Sequence, residues 1–215
     1  DNSSAHIKEI MDIERIDKAH LVGVSVGSLI AQDFANRYPA MVLSLCALGG
    51  YDINHYDKGI EKEPGKQQLL FMLSAIVSTT WFSKSNSLIT VKTEEAQQKF
   101  FIMNQLFKRR AFRYMATLGH IMNKFSTQRE YPLMILCGDC DSKLAIDLAK
   151  KWNTYEQNSI FEIICNAGHC ANMDNPVEFN SILSEFIETC EKTASSVPLH
   201  TQHLQHFLPS MRYSS

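Results

Sequence analysis

A glycine-flanked serine occurs at Gly23-Val24-Ser25-Val26-Gly27, between a short apolar run and a segment with helical spacing. A serine at the tip of a sharp strand-to-helix turn exposes its hydroxyl, and small residues two positions to either side leave room for the turn. The turn also places the backbone N–H of Val26 at a helix N-terminus, where it can donate to a developing oxyanion. The motif favours a nucleophilic Ser25 with Val26 in the oxyanion hole; a structural turn is the alternative.

A serine hydroxyl needs a base to take its proton, and the chain has eight histidines to supply one. His169 directly follows the apolar run IFEIIC at 160–165 and the residues NAG. Because that run predicts a buried strand, His169 would lie at the carboxyl edge of a parallel sheet, where catalytic groups gather. The other histidines precede the serine, fall in or beside a predicted insertion, or belong to the C-terminal tail. His169 is therefore the predicted base.

A third group must hold the imidazole in its productive tautomer. The apolar run YPLMILC at 131–137 is followed by GDCD, which contains Asp139 and Asp141. We predict Asp141 as the acid, because an Asp directly after a strand, here Asp139, commonly caps the turn. Asp52, after another predicted strand, is a less favoured alternative.

The cysteines allow a competing metal or redox site. Cys137 and Cys140 form a CxxC pair, and Cys170 adjoins His169. A cysteine at the end of a buried strand acts as a small hydrophobe, however, and no second pair accompanies the first. We therefore predict neither a metal nor a cofactor.

Alternating elements are expected to position these groups. Apolar spacing predicts the following elements: helix 4–16, strand 19–24, helix 26–38 stopped by Pro39, strand 41–48, strand 131–137, helix 143–155, strand 160–165 and a last helix after Asn175. Asn175, Pro176 and Glu178 have the residue types of an N-cap, a first helical position and a third. This alternation argues for an α/β protein with a parallel sheet and right-handed crossovers.

Residues 51–130 differ from the rest, because they contain no clear strand and two long helical stretches, 67–80 and 94–122. We interpret them as a helical cap packed on the sheet. The predicted organisation is a first core half at 1–50, the cap at 51–130, a second core half at 131–192 and an unstructured tail at 193–215.

Composition narrows the classes of function. The chain is 45% apolar and 20% charged with a formal net charge of −2, which gives no reason to expect a nucleic acid or an anionic membrane as partner. The longest apolar-leaning run, 69–82, is too short to span a bilayer. Six irregularly spaced cysteines and the lack of a signal-like N-terminus predict a cytoplasmic protein with free thiols that acts on a small molecule.

Three stretches together resemble the α/β-hydrolase superfamily, in its lipase, esterase and C–C-hydrolase branches. AHLVGVSVGSLIAQDFANRYP resembles the nucleophile elbow, YPLMILCGDCD the strand that delivers the acid, and NAGHCANMDNPVEFNSILSEFI the histidine loop and last helix. The resemblance covers residues 1–50 and 131–190. It implies an α/β-hydrolase fold with a helical cap, and acyl transfer by Ser25, His169 and Asp141 through an acyl-enzyme.

The resemblance begins in the helix before the elbow, so the strands that precede it in the family are expected to be missing. One of them carries the loop that supplies a second oxyanion amide, and losing one such donor typically costs about 10²–10³ in rate. We therefore expect an active parent hydrolase, and an isolated chain that is inactive or folds poorly. The alternatives are an acyltransferase with the same triad, or a truncated protein without catalysis.

Overall fold

A parallel sheet is the centre of the computed structural model, which describes residues 2–55, 78–108, 120–122 and 129–196. The four strands of the described sheet lie side by side in chain order: β1 (Ala19–Val24), β2 (Val42–Leu48), β3 (Leu133–Gly138) and β4 (Ser159–Ile164). Each falls within two residues of its predicted position. Strand β3 begins late because Pro132 has no N–H to donate to a ladder.

Helices cover both faces of the sheet. They are α1 (Ser3–Ile13), α2 (Val26–Arg37), α3 (Thr79–Thr90), α4 (Glu94–Gln105), α5 (Lys143–Tyr155), α6 (Ala171–Asp174) and α7 (Pro176–Ser196). Alternate residues of β2 point to opposite faces. Leu45 packs with buried residues of α1, α2 and α5, whereas Leu48 packs with α7. The predicted α/β architecture is confirmed, and the carboxyl ends of all four strands meet at one edge.

Three predicted boundaries are wrong. The helix expected over 94–122 ends at Gln105, where Leu106 and Phe107 donate three residues back, to Met103 and Asn104. The Asn104 side chain donates to the carbonyl of Phe100 at 2.7 Å, a local bond that competes with helix continuation.

The other two lie at the end of a predicted helix and the start of the predicted tail. Of the helix predicted over 67–80, residues 67–77 lie outside the described residues, and its predicted end is wrong because α3 runs from Thr79 to Thr90. Residues 193–196, predicted to begin the unstructured tail, belong to α7, which continues to Ser196. Residues 197–215 lie outside the described part of the chain.

A buried ion-pair cluster fixes the segment after β2 to the segment before β3. Arg129 donates to Asp52 at 2.6 Å and also to Glu156, and only 3% of the Arg129 side chain is exposed. Tyr155 donates its hydroxyl to Asp52 at 3.0 Å, and the Arg129 guanidinium lies 5.2 Å from the Trp152 ring centroid. The cluster thus joins both ends of the predicted cap to helix α5.

This cluster predicts a loss of stability in acid. Burial raises the pKa of Asp52, but the charge and hydrogen bonds of Arg129 outweigh it and hold that pKa below its ordinary value of 3.8. Because the folded pKa is the lower one, the stabilisation is present above pH 3.8 and is lost as the pH falls through the folded pKa. We expect the free energy of unfolding, from urea titrations at pH 6 and about pH 3, to fall more for the wild type than for Asp52→Asn. Equal falls in the free energy of unfolding of the wild type and Asp52→Asn would contradict this prediction.

No helix among the described residues is long and apolar enough to cross a membrane.

Candidate active site

The turn between β1 and α2 places Ser25 in a strained backbone conformation. Its φ is 52° and its ψ −121°, a region that costs a residue with a Cβ on the order of 1–3 kcal/mol. Three hydrogen bonds hold its backbone there: the Ser25 amide donates to the Leu48 carbonyl at 2.8 Å, and the Ser25 carbonyl accepts from the Ser28 hydroxyl at 2.7 Å and from the Ser28 amide at 2.9 Å. The turn is therefore fixed both by β2 and by the helix that follows it.

Val26 is the first residue of α2, so its amide has no acceptor within the helix. The positive end of the helix dipole lies at the same place. The Val26 amide is thus a backbone donor available next to the Ser25 hydroxyl.

The two glycines of the motif have different requirements. A Cβ on Gly23 would lie 2.5 Å from the Ser28 Cα, whereas one on Gly27 would meet nothing within 4 Å. The prediction that both positions must be small therefore holds for Gly23 and is wrong for Gly27. Gly23 lies under the first turn of α2, and Gly27 faces open space.

Alanine at each position gives a matched test of this turn. We expect Gly23→Ala to destabilise the fold by about 1–3 kcal/mol, because backbone atoms must move apart to admit the methyl group. Gly27→Ala should leave stability unchanged or slightly raised, since alanine is the better helix former. Thermal unfolding of both variants measures the difference, and similar melting temperatures would contradict the packing described here.

A continuous chain of hydrogen bonds joins the three predicted residues. His169 Nε2 lies 2.8 Å from Ser25 Oγ, and His169 Nδ1 lies 2.9 Å from Asp141 Oδ2. A carboxylate only accepts hydrogen bonds, so Nδ1 carries the proton and donates to Asp141, while Nε2 accepts from the Ser25 hydroxyl. The Asp141 side chain is 5% exposed and that of His169 27%. A buried acid thus orients an imidazole that still reaches solvent.

The loops after β3 and β4 are bound to one another. Asp139 accepts from the Ala167 amide at 3.0 Å, and the Cys140 amide donates to the Ala167 carbonyl at 2.9 Å. The amides of Ala167 and Asn166 hold the pKa of Asp139 below its ordinary range. Asp139 therefore joins the two loops, whereas the capping contact predicted for it was one within its own turn. Asp141, two residues further along the chain, uses one carboxylate oxygen for the Ser142 amide and the other for His169.

The alternative acid, Asp52, is engaged elsewhere. It bonds to Arg129, Tyr155 and the His55 ring in the buried cluster described above. The structure thus brings Asp141, and not Asp52, to His169.

The cysteines near the site are free thiols. Cys137 is buried in β3 whereas Cys140 is exposed. Burial raises the pKa of Cys137 and of Cys170 to about 11. Such thiols are protonated at neutral pH and react slowly. In the described part of the chain, no three His, Cys, Asp or Glu side chains are grouped so that they could hold a metal ion.

Two close approaches were not predicted from the sequence. Gly49 has φ +61°, and a Cβ there would lie 2.9 Å from the His169 carbonyl; a Cβ on Gly50 would lie 2.0 Å from Ser28 Oγ. The predicted strand 41–48 ends directly before this glycine pair, and a glycine pair beside a sheet edge is a signal of close backbone approach.

Comparisons with known proteins agree with this fold. No protein-family model matches the chain. A 2-hydroxy-6-oxononadienedioate/2-hydroxy-6-oxononatrienedioate hydrolase from Pseudomonas sp. is 23% identical over 193 residues. That match covers 84% of this chain, and the chain spans 66% of the length of that relative.

Comparison with solved structures also finds hydrolases, and these have the same fold. A carboxylesterase of the thaumarchaeon Nitrososphaera gargenis matches with a TM-score of 0.68 at 14% identity, covering 88% of this chain and 72% of that one. The 2-hydroxy-6-oxo-6-phenylhexa-2,4-dienoate hydrolase of Rhodococcus sp. strain RHA1 matches with a TM-score of 0.65 at 15% identity, covering 86% and 69%. The chain has the α/β-hydrolase fold, and the relative and solved structures described here are hydrolases or esterases by name.

Proposed function

We propose that this chain carries the catalytic triad of a serine hydrolase, with Ser25 as nucleophile, His169 as base and Asp141 as orienting acid. The observation that carries the proposal is the continuous hydrogen-bond chain from Asp141 through His169 to Ser25. The three residues come from separate loops at the carboxyl edge of the sheet, where the fold gathers catalytic groups.

The proposed reaction is acyl transfer in two steps. The Ser25 oxygen attacks a substrate carbonyl while its proton passes to His169 Nε2, and Asp141 stabilises the imidazolium that forms. The carbonyl oxygen becomes an oxyanion next to the Val26 amide. His169 then gives its proton to the leaving group, which departs and leaves an acyl-Ser25. Water, deprotonated by His169, releases the acid and restores the hydroxyl.

The proposed substrate is a small, fairly apolar ester, thioester or related carbonyl compound. The apolar composition of the predicted cap motivates this class. A 2-hydroxy-6-oxo dienoic acid is a second candidate, because the curated relative and the Rhodococcus structure are both hydrolases of such compounds by name. The same triad could serve an acyltransferase if an alcohol or thiol replaced water.

A substrate panel separates these possibilities in the full-length protein. We expect hydrolysis of short-chain p-nitrophenyl esters that Ser25→Ala abolishes. Turnover of a 2-hydroxy-6-oxo dienoate can be monitored through its loss of absorbance. If that turnover is faster than the turnover of the esters, the second candidate is favoured. Products that contain an added alcohol would favour transfer. If no member of the panel is turned over by the wild type, the non-catalytic alternative is supported and the proposal fails.

A further inference from the structure

One carboxylate outside the triad binds backbone amides of two distant segments. Asp174 accepts from the Gly168 amide at 2.8 Å, directly before His169 in the chain. It also accepts from the amide of Lys92 at 2.8 Å and from that of Thr93 at 2.7 Å, as well as from the Thr93 hydroxyl at 3.0 Å. These last two residues belong to the α3–α4 junction, defined here as residues 91–93.

The other side of His169 is held by the end of α3. The Cys170 amide donates to the Thr90 carbonyl at 3.0 Å. A Cβ on Gly168 would lie 3.0 Å from that same Thr90 carbonyl, so the two backbones are in close contact. The residues that flank His169 on both sides are therefore tied to the α3–α4 region.

The junction is itself a fixed structure. Thr93 is the N-cap of α4, and its hydroxyl accepts from the Ala96 amide at 3.3 Å. Ala96, Val91 and Cys170 form a small buried apolar cluster. Because Asp174 is anionic, its bonds to these amides are of the stronger, charge-assisted kind.

We infer that Asp174 is a positioning residue for His169, which couples the histidine loop to the α3–α4 junction. Asp174 touches none of the three triad side chains in these contacts; it acts through the Gly168 amide. The inference rests on the proposed function, because a position for His169 matters only if the imidazole takes the Ser25 proton. It also means that a movement of α3 and α4 is transmitted to the base.

The test measures the rate at which a fluorophosphonate labels Ser25 in the full-length protein, well below the melting temperature. We expect Asp174→Asn, which loses the charge and one acceptor oxygen, to label about 10- to 100-fold more slowly, as displaced catalytic groups do. Glu178→Gln is the matched control. Glu178 also accepts from a loop amide, that of Cys165 at 3.1 Å, but it does not bind Gly168 in the described structure. Its labelling rate should equal that of the wild type.

Circular dichroism shows whether the variants are folded. If Asp174→Asn is unfolded, Asp174→Glu replaces it, since it keeps the charge but displaces the acceptor oxygens, and its labelling should again be slowed. Wild-type labelling of a folded Asp174 variant would overturn the inference and leave the triad proposal intact. A wild type that is not labelled would overturn the triad proposal, and the inference with it. Equal slowing in Glu178→Gln would show a general effect of the loop and would also overturn the inference.

Discussion

Ser25→Ala is expected to lower kcat about 10⁶-fold for the substrate that the wild type turns over best. His169→Ala should cost nearly as much, because a serine hydroxyl without its base is a poor nucleophile. The double variant should be no slower than either single one, since the two groups act as one unit joined at 2.8 Å. Asp141→Asn should cost about 10⁴, because it leaves the imidazole in the wrong tautomer.

His55 offers a matched control for these variants. It also pairs with an aspartate, Asp52 at 2.7 Å, and its side chain is 60% exposed. In the described structure it contacts no serine hydroxyl that could serve as a nucleophile. His55→Gln should leave kcat unchanged. Two results would contradict the triad. One is a set of losses of kcat that add up when Ser25→Ala and His169→Ala are combined, and the other is a loss of kcat in His55→Gln as large as that in His169→Ala.

Arg129→Met is expected to destabilise the fold by about 3–5 kcal/mol. The substitution removes the cation and leaves Asp52 and Glu156 as buried charges without their partner, at 2% and 10% side-chain exposure. Uncompensated buried charge costs more than the ion pair itself contributes. Urea unfolding at pH 7, monitored by circular dichroism, gives the free energy of unfolding and its dependence on urea concentration.

Two variants separate this effect from ordinary charge loss. Lys192→Met breaks an ion pair with Glu188 in which both side chains are mostly exposed, so the urea midpoint should not move. Adding Asp52→Asn and Glu156→Gln to Arg129→Met should recover most of the lost stability, because no buried charge then remains unpaired. A loss of unfolding free energy below about 1 kcal/mol in Arg129→Met would be typical of an exposed ion pair and would contradict the role assigned to this cluster.

The parallel core was predictable from short-range patterns. Buried parallel strands are continuous apolar runs, and Val42–Leu48 and Leu133–Gly138 both show this composition. The last helix was also predictable, because the Asn175 side chain accepts from the Glu178 amide at 3.3 Å, as an N-cap does, and also donates to the Glu178 carboxylate at 2.6 Å. These signals lie within a few residues of the structure that they specify.

Contacts between distant segments were not predictable in this way. The bonds of Asp174 to Lys92 and Thr93 join residues more than 80 positions apart. Arg129 was not recognised at all, since a lone arginine before a strand has the same appearance whether it is buried or solvated. Likewise, the end of α4 at Gln105 depends on the Asn104 side chain, which an apolar pattern does not register.

The described sheet is open at strand β1. In the described sheet β1 pairs with β2 alone, and Val22 on this strand is 45% exposed. The reduced activity expected for the isolated chain remains a prediction. It can be tested by comparing the labelling rate of these 215 residues with that of a longer chain in which N-terminal strands precede them.

Mass spectrometry of the protein after reaction with a fluorophosphonate tests the central claim most directly. The account predicts one covalent adduct per folded molecule of the full-length protein, on the peptide that contains Ser25, and no adduct in Ser25→Ala or His169→Ala. An adduct on a different serine, or labelling of Ser25 that persists at the wild-type rate in His169→Ala, would contradict it.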